Sequence, residues 1–575
     1  MNKKGVLLSL IFMIFGTFFI SPEIFAAQKV DVGKLEYLLI QEGGRVKPIG
    51  TFFTESVLLV TGKNKFQKED PTSLCLSWIG DPREYEKNKF IFLSQESLKR
   101  ILHVDLKRKY FSPLEIAQNE DFQKFLKEVD LRQKDKQKLN KTEQEALRLY
   151  GRVDRFYSIA QGTALKIVPY TKVSKNAWIS PVDLMPGHEL AEGMDVKLRF
   201  DFLAVFGTVV QTFKTKEKAP FDSASQIMIA IQKKIAESSG INLSKYPIRE
   251  EVFYNALMPF SRAWKFYLLA FVLLFISGFW PNIWLKRAGF LVFILGALTH
   301  TLGFALRCWI AGRPPVSNMY ESIIWVSWGT VFFASILGII YKQKLYILVA
   351  SIVATVGLVL ASSAPTVLNP HIQTLEPVLR SNFWLTIHVM TITLSYAAFA
   401  LGLGIGHYNL YLLGWRRDDK DRLKAATVFL YRTIQIGVIL LASGTILGGV
   451  WANDSWGRFW GWDPKEVWAL IALLGYLSIL HGRYAGWLHE FGMAVGSVIA
   501  FLGVLMAWYG VNFVLGVGLH SYGFGGGGLP YVITAVLLDI AFVGWVSWRY
   551  LRGHQVKSRI DISKTKKSLT NWFGR

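Results

Sequence analysis

The stretch "WGRFWGWDPKEVWAL", residues 456–470, follows one long apolar run, 427–450, and leads into another, 464–481. It packs four Trp residues among glycines and charged side chains. Apolar runs of roughly 17–25 residues have the length that a helix needs to cross a bilayer. The pattern therefore predicts two membrane helices joined by a short aromatic loop.

Similar runs occupy the whole second half of the chain of 575 residues. We predict nine membrane segments, at 264–280, 288–306, 320–341, 345–363, 383–413, 427–450, 464–481, 490–513 and 530–549. The fold class expected is mainly α: a polytopic membrane helix bundle of about nine helices.

The remaining sequence divides into three further parts. Residues 1–27 have a basic start, an apolar stretch and small residues at their end, as in a signal peptide or an uncleaved N-terminal anchor. Residues 28–262 read as a charged, extracytoplasmic soluble domain in which we find no catalytic motif. The membrane domain is predicted at 263–552, and a basic cytoplasmic tail at 553–575.

The net charge of +23 has an explanation in topology. Lys and Arg concentrate in alternate loops between the apolar runs, as the positive-inside rule requires of cytoplasmic loops. This distribution places the Trp-rich loop, 451–468, on the outer face, and it argues against nucleic acid as a partner. The only two cysteines, Cys75 and Cys308, lie far apart and form no disulfide or metal-binding pattern.

The "WDPKE" segment has the residues typical of a helix start. Asp463 is expected at the N-cap, Pro464 at the first helical position and Glu466 at the third. The residues before it, "WANDSWGRFWGW", are expected to be irregular or to lie along the interface. The Trp side chains would form either an aromatic belt at the bilayer surface or a flat binding platform. Asp463 and Glu466 could be acid–base residues, although helix capping is the simpler account.

Two histidines favour the platform. His388 lies about two turns inside the outer end of one apolar segment, and His520 lies just beyond the outer end of another. Imidazole nitrogen is a ligand for haem iron, and aromatic faces stack on a porphyrin. Together with the Trp loop, the two histidines predict an outer haem site.

Histidines inside membrane segments are candidates for a second, deeper site. His481 lies towards the inner side and is the best single candidate, while His300 and His407 are alternatives within other apolar runs.

The Trp loop resembles the WWD signature of haem-handling proteins in cytochrome c maturation. The wider set of motifs resembles the CcsA/ResC subunit of the System II cytochrome c synthase: "RPPVSNMYES" (313–322), "FWLTIHV" (383–389), "ILHGR" (479–483) and "VNFVLGVGLHSYG" (511–523). The resemblance implies that His388 and His520 ligate the external haem and that His481 is the transmembrane haem ligand. It also implies that the WWD loop holds haem through Trp451, Trp456, Trp460, Trp462 and Asp463.

The chain departs from fused synthases, which carry a ResB-type partner with several membrane helices ahead of this module. Here a single apolar leader precedes the soluble domain, so a separate ResB/CcsB-like membrane subunit is expected. The second ligand of the inner haem would come from that partner or from His300.

The function expected from the resemblance is that of a haem-delivery and ligation subunit of a holocytochrome c synthase, of the haem lyase type, in the cell's inner membrane. Haem b would be carried to the outer face and presented to the CxxCH motif of apocytochrome c, with thiol-reducing proteins as further partners. Two alternatives remain: a haem exporter or chaperone that hands haem to a separate ligase, and a structural membrane subunit that anchors partners.

Overall fold

A computed structural model describes residues 32–137, 139–171, 177–365, 367–375, 381–516, 518 and 528–572, with side chains up to residue 552. The predicted leader, His520 and the side chains of the predicted tail lie outside the described residues. The chain forms two compact units. The first holds the described residues up to Leu257 together with His371–Thr374, and the second holds the remainder from Met258 onward.

The first unit is mainly helical, with two small antiparallel strand pairs. The strands are β1 Leu39–Glu42, β2 Arg45–Pro48, β3 Ile91–Phe92 and β4 Tyr110–Phe111, with β1 pairing to β2 and β3 to β4. Its α-helices are α1 Ile49–Thr61, α2 Pro71–Gly80, α3 Pro82–Tyr85, α4 Glu96–Ile101, α5 Pro113–Ala117, α6 Glu120–Lys134, α7 Lys141–Ala160, α8 Val196–Lys214, α9 Lys218–Ser238 and α10 Ile248–Leu257.

Local sequence explains where these elements begin and end. Gly43 and Gly44 take positive φ angles of 58° and 75°, so they form the tight turn between β1 and β2. A charged stretch, residues 127–156, contains parts of two helices. It is divided between α6 and α7, because Asn140 and Glu143 form a capping box that starts a new helix.

The first unit has its own apolar core, in which Trp78 stacks on Phe90 and meets Phe156 edge-on. Cys75 is fully buried there, and burial raises the pKa of its thiol well above the ordinary value. At the edge of this core, burial opposes ionisation of Glu42, but Lys47 and Arg155 outweigh it and lower the pKa of that carboxyl.

The second unit confirms the predicted membrane segments. Within the described residues, nine helices are long and apolar enough to span a bilayer. They are α11 Pro259–Phe279, α12 Ile283–Ala311, α13 Met319–Ile340, α14 Lys344–Ser363, α15 Asn382–Trp415, α16 Lys420–Trp456, α17 Pro464–Tyr484, α18 Glu490–Leu515 and α19 Leu529–Trp572. The chain is therefore a multi-pass membrane protein of mainly helical fold.

Helix α15 lies at the centre of this bundle, where it packs against α13, α14, α16, α18 and α19. Two of the helices contain wider π-helical turns, Leu385–Val389 near the start of α15 and Met506–Leu515 at the end of α18. Such turns are rare and often accompany functional sites.

Candidate functional site

A cavity opens at one end of the membrane bundle, where the beginnings of α13, α15 and α17 meet the ends of α16 and α18. It is lined by residues from all five helices and from the loops that precede α13 and α17: Val316–Met319, Ser322, His388, Val389, Ile392, Thr393, Tyr396, Thr445, Gly448, Gly449, Trp451, Trp456, Phe459, Trp460, Lys465, Glu466, Ala469, Ala507, Trp508 and Asn512. Most of these side chains are apolar or aromatic. The cavity therefore suits a mainly apolar ligand.

The start of α17 has the predicted arrangement. Asp463 caps the helix, Pro464 follows it, and a carboxylate oxygen of Glu466 accepts hydrogen bonds from the backbone N–H groups of Gly461 (2.8 Å) and Asp463 (3.1 Å). Asp463 accepts the N–H of Lys465 at 3.0 Å and is buried. These bonds support the capping role of both acids.

The Trp residues do not all share one environment. The stretch 451–456, which we expected to be irregular or to lie along the interface, forms the last turns of α16, so that the connecting loop is limited to residues 457–463. Trp451, Trp456 and Trp460 line the cavity. Trp462 does not: its backbone has a φ of 55°, its side chain is 72% exposed, and it meets Trp460 edge-on.

His388 lies in the π-helical turn of α15 and lines the cavity. Its Nδ1 is 2.8 Å from the carbonyl oxygen of Gly444 on α16, and its ring meets that of Trp451 at 5.6 Å. A carbonyl only accepts hydrogen bonds, so this contact requires the proton on Nδ1. In the neutral imidazole the lone pair is then on Nε2, the arrangement found in histidines that bind metals.

Small residues on α16 make room for this imidazole. A Cβ at Gly448 would lie 2.6 Å from Cε1 of His388, closer than side-chain atoms approach one another. One turn earlier, a Cβ at Gly444 would lie 2.8 Å from the backbone of Ile392. The glycines therefore allow α15 and α16 to come close enough for the His388 hydrogen bond to form.

The other predicted haem ligands lie elsewhere. His481 is exposed on α17, about 24 Å along that helix from Lys465, with Nδ1 2.8 Å from the carbonyl of Leu477. His300 is fully buried, and its nitrogens face the hydroxyl of Tyr267 (3.3 Å) and the carbonyl of Ile324 (3.2 Å). Neither belongs to the cavity lining, and His520 is outside the described residues.

Lys465 and Asn512 are among the polar side chains of the cavity that sequence reasoning missed. Lys465 contributes an ammonium group at the start of α17. Asn512 is buried; its amide nitrogen donates to the carbonyl of Trp508 at 2.9 Å, while its Oδ1 has no hydrogen-bond partner in the described part of the chain. A buried acceptor of this kind points to a ligand or water in the cavity. The "WDPKE" pattern contained a signal for Lys465, whereas that for Asn512 was hidden in an apolar run.

The "RPPVSNMYES" motif forms a buried charge network beside the cavity. Two guanidinium nitrogens of Arg307 lie 2.9 and 2.8 Å from the Glu321 carboxylate, which also accepts from the hydroxyl and the N–H of Ser317. Asn318 caps α13 by accepting the N–H of Glu321. Breaking a buried pair of this kind costs about 3–5 kcal/mol. The network thus fixes the loop 316–319, which forms part of the cavity wall.

Comparison with known proteins identifies related chains. The family model described as cytochrome C assembly protein matches residues 316–520, a range that contains every cavity-lining residue named above. Protein NrfI of Wolinella succinogenes is 28% identical over 515 residues, which cover 86% of this chain and 55% of NrfI. The chain thus spans about half the length of that relative.

Other relatives match less than half of this chain but most of their own length. Cytochrome c biogenesis protein CcsA of Prochlorococcus marinus strain MIT 9312 is 35% identical over 274 residues, which are 41% of this chain and 86% of the relative. The CcsA of Guillardia theta is 37% identical over 257 residues, covering 40% of this chain and 83% of the relative. With this similarity, the chain belongs to the CcsA-type cytochrome c biogenesis proteins.

Proposed function

We propose that this protein is the haem-delivery and ligation subunit of a cytochrome c synthase, which presents haem b to the CxxCH motif of apocytochrome c. The observation that carries the proposal is His388 in an aromatic cavity, with its Nδ1 hydrogen-bonded to Gly444. This bond orients the imidazole and favours the lone pair on Nε2, the nitrogen that would bind the haem iron.

The walls of the cavity fit a porphyrin. Trp451, Trp456 and Trp460 supply flat apolar faces, and the glycines of α16 leave space beside His388. Apolar ring systems stack favourably on indole, and their transfer out of water adds to binding. The haem would thus be held mainly by stacking and by ligation of its iron.

The second axial ligand would be His520. Gly518, two residues before it, lies so close to the WWD segment that a Cβ there would be 2.5 Å from a carboxylate oxygen of Asp463. His520 follows Gly518 by two residues in the sequence, which supports assigning it to the same site as His388.

The chemistry needed from this chain is mainly positioning. The histidine of CxxCH would replace one of the two axial ligands, which brings the two cysteines close to the haem vinyl groups. Each thiol then adds across a vinyl double bond: a carbon–sulfur bond forms and the thiol hydrogen goes to the other vinyl carbon. Holding reactants in geometry supplies on the order of 7–11 kcal/mol of the barrier. The cysteines must be reduced, which requires thiol-reducing proteins as partners.

An inner haem site would use His481. Its exposed position on α17 leaves it accessible to a second membrane protein, and a ResB/CcsB-like subunit would supply the opposite ligand. In this arrangement the haem enters near His481 and moves towards the cavity, with the cavity end of the bundle and the first unit on the outer side of the inner membrane. Basic residues in the opposite loops support that orientation.

The proposal is tested by removing the cavity imidazole. His388→Ala should lower covalent haem on a co-expressed CxxCH reporter by at least roughly tenfold. Losing a hydrogen bond that orients a metal ligand typically lowers metal affinity or activity roughly 10–100-fold, and losing the ligand itself should lower it at least as much. Adding His520→Ala should do little further damage, since ligands that act as one unit are strongly non-additive. The matched control is His489→Ala, because His489 is exposed and makes no side-chain capping bond at the start of α18.

The outcomes separate the alternatives. Near-normal attachment in the His388→Ala, His520→Ala protein would reject external bis-histidine ligation. If the unaltered protein bound haem but never supported attachment, even with its membrane partner present, it would be a haem exporter or chaperone instead.

A further inference from the structure

The end of the membrane unit opposite to the cavity carries a group of basic side chains. Helix α13 begins at the cavity, so α12 and α14, the spans before and after it, begin at the other end. The basic patch, as we call it, consists of two residues in the first turns of α12 and two at the start of α14: Lys286, Arg287, Lys342 and Lys344. These residues thus lie near a boundary between bilayer and water.

Two of these cations approach each other directly. The ammonium groups of Lys286 and Lys344 come within hydrogen-bonding range, although both carry a positive charge. From residue 261 to residue 375 the sequence contains one acidic residue, Glu321, and its carboxylate pairs with Arg307 beside the cavity. Acids of these four helices therefore do not neutralise the basic patch. Because like charges this close repel each other, an anion between the two ammonium groups is strongly favoured.

The surroundings of the basic patch are aromatic and apolar. Trp280 and Trp284 are 62% and 71% exposed, and the guanidinium of Arg287 lies over the Trp284 ring at 5.4 Å. Trp side chains at the ends of membrane helices lie at the level of the lipid headgroups. Farther along α12, Leu291 and Leu298 are exposed as well. This end of the unit therefore presents positive charge at headgroup level and apolar side chains at the level of the acyl chains.

We infer that Lys286 and Lys344 bind the phosphate of an anionic phospholipid. Its negative oxygens accept a hydrogen bond from each ammonium, so that two charge-assisted bonds replace the repulsion between the cations. Its acyl chains contact the apolar side chains of α12, which a free phosphate cannot do. A zwitterionic lipid such as phosphatidylcholine carries a cation of its own, which the basic patch repels. This site lies away from the cavity and does not depend on the proposed function.

Native mass spectrometry of the purified full chain tests this inference. Phosphatidylglycerol, or phosphatidylcholine in a parallel series, is titrated into the protein in detergent, and the fraction that retains a first lipid is measured. The Lys286→Gln, Lys344→Gln protein should bind phosphatidylglycerol about thirtyfold more weakly than the unaltered protein. Each ammonium near an anionic lipid accounts for about a fivefold change in affinity. Binding of phosphatidylcholine should not change.

The matched control is Lys420→Gln, Lys424→Gln. It also removes two exposed lysines from the first turns of a membrane helix, α16, which begins at the same end of the unit as α12 and α14. Acidic residues adjoin these lysines in the sequence, at 418, 419 and 421, so the local charge is already balanced. Phosphatidylglycerol should therefore bind to the control as it does to the unaltered protein.

The outcomes decide between a lipid site and the alternatives. Unchanged affinity in the Lys286→Gln, Lys344→Gln protein, or an equal loss in the control, would overturn the inference. Displacement of phosphatidylglycerol by excess inorganic phosphate would also overturn it, because the site would then recognise a free anion. Lys286→Arg, Lys344→Arg should bind the lipid as the unaltered protein does, which separates loss of charge from misfolding.

Discussion

At the scale of single residues, hydrogen bonding decides what each histidine can do. His388 lines the cavity and places its Nδ1 against the carbonyl of Gly444. His300 has both nitrogens facing protein groups and stacks on Phe304 with no exposure to solvent. The same residue type therefore lines a cavity in one place and packs inside the bundle in the other.

We expect His300→Ala and His481→Ala to have opposite effects. Removing the buried imidazole should lower the stability of the protein by roughly 2–4 kcal/mol, because it leaves a cavity and an unpaired Tyr267 hydroxyl. The haem bound per folded molecule should not change. His481→Ala, on an exposed helix face, should leave stability unchanged but lower the haem recovered with the complex.

Thermal unfolding in detergent and the haem absorption of the purified complex measure both effects. Loss of haem at unchanged stability in His300→Ala would make His300 a ligand. Full haem with an unaltered spectrum in His481→Ala would make His481 a surface residue.

At the scale of helices, the site depends on how closely α15 approaches α16. The π-helical turn at Leu385–Val389 changes the direction in which His388 points relative to a regular helix, and glycines on α16 provide the space for its ring. Small residues at such contacts are the usual means by which membrane helices pack closely.

Replacing Gly448 by Ala should therefore damage the outer site without removing any ligand. The new methyl would lie 2.6 Å from Cε1 of His388, so either the ring or the helix must move and the bond to Gly444 is lost. We expect haem attachment to a CxxCH reporter to fall roughly 10–100-fold, the usual effect of losing a bond that orients a metal ligand.

The control for this variant is Gly475→Ala on α17, where the nearest atom to the new Cβ is 3.8 Å away. That variant should be as active as the parent and slightly more stable, since Ala favours a helix over Gly by about 1 kcal/mol. Normal attachment in Gly448→Ala would show that the position of His388 is not critical.

At the scale of the whole molecule, the cavity and His481 lie towards opposite ends of α17. Nine spans in the described residues place the two ends of the membrane unit on opposite sides of the bilayer. In the proposed orientation, with the cavity outside, haem would cross the membrane from the region of His481 to the cavity.

Labelling of single cysteines tests that orientation. In a Cys308→Ser background, with Cys75 buried and unreactive, Ser455→Cys near the end of α16 should react with a membrane-impermeant maleimide in intact cells. Gln343→Cys, exposed between α13 and α14, should react only after lysis. The reverse pattern would invert the topology and place the cavity on the cytoplasmic side.

The sequence predicted best those features that depend on residues within a single segment. The capping box of Asp463 and Glu466 followed from three neighbouring residue types, and the nine spans followed from apolar length, because both depend on interactions within one segment. The end of α16 was misjudged, since the polar residues of "WANDSW" resemble a loop although the helix continues through Trp456. Composition likewise did not reveal that Trp462 is exposed, whereas Trp451, Trp456 and Trp460 line the cavity.

The sequence by itself determined the membrane class, the number of apolar spans and the residue types available at one end of the bundle. Bilayer thickness and backbone hydrogen bonding impose these features on each segment separately. Only the tertiary structure decided that His388 meets Gly444, that Lys465 and Asn512 join the cavity, and that His300 is buried in the core. Such contacts join residues on different helices, and they depend on how those helices pack, which no periodicity within one segment encodes.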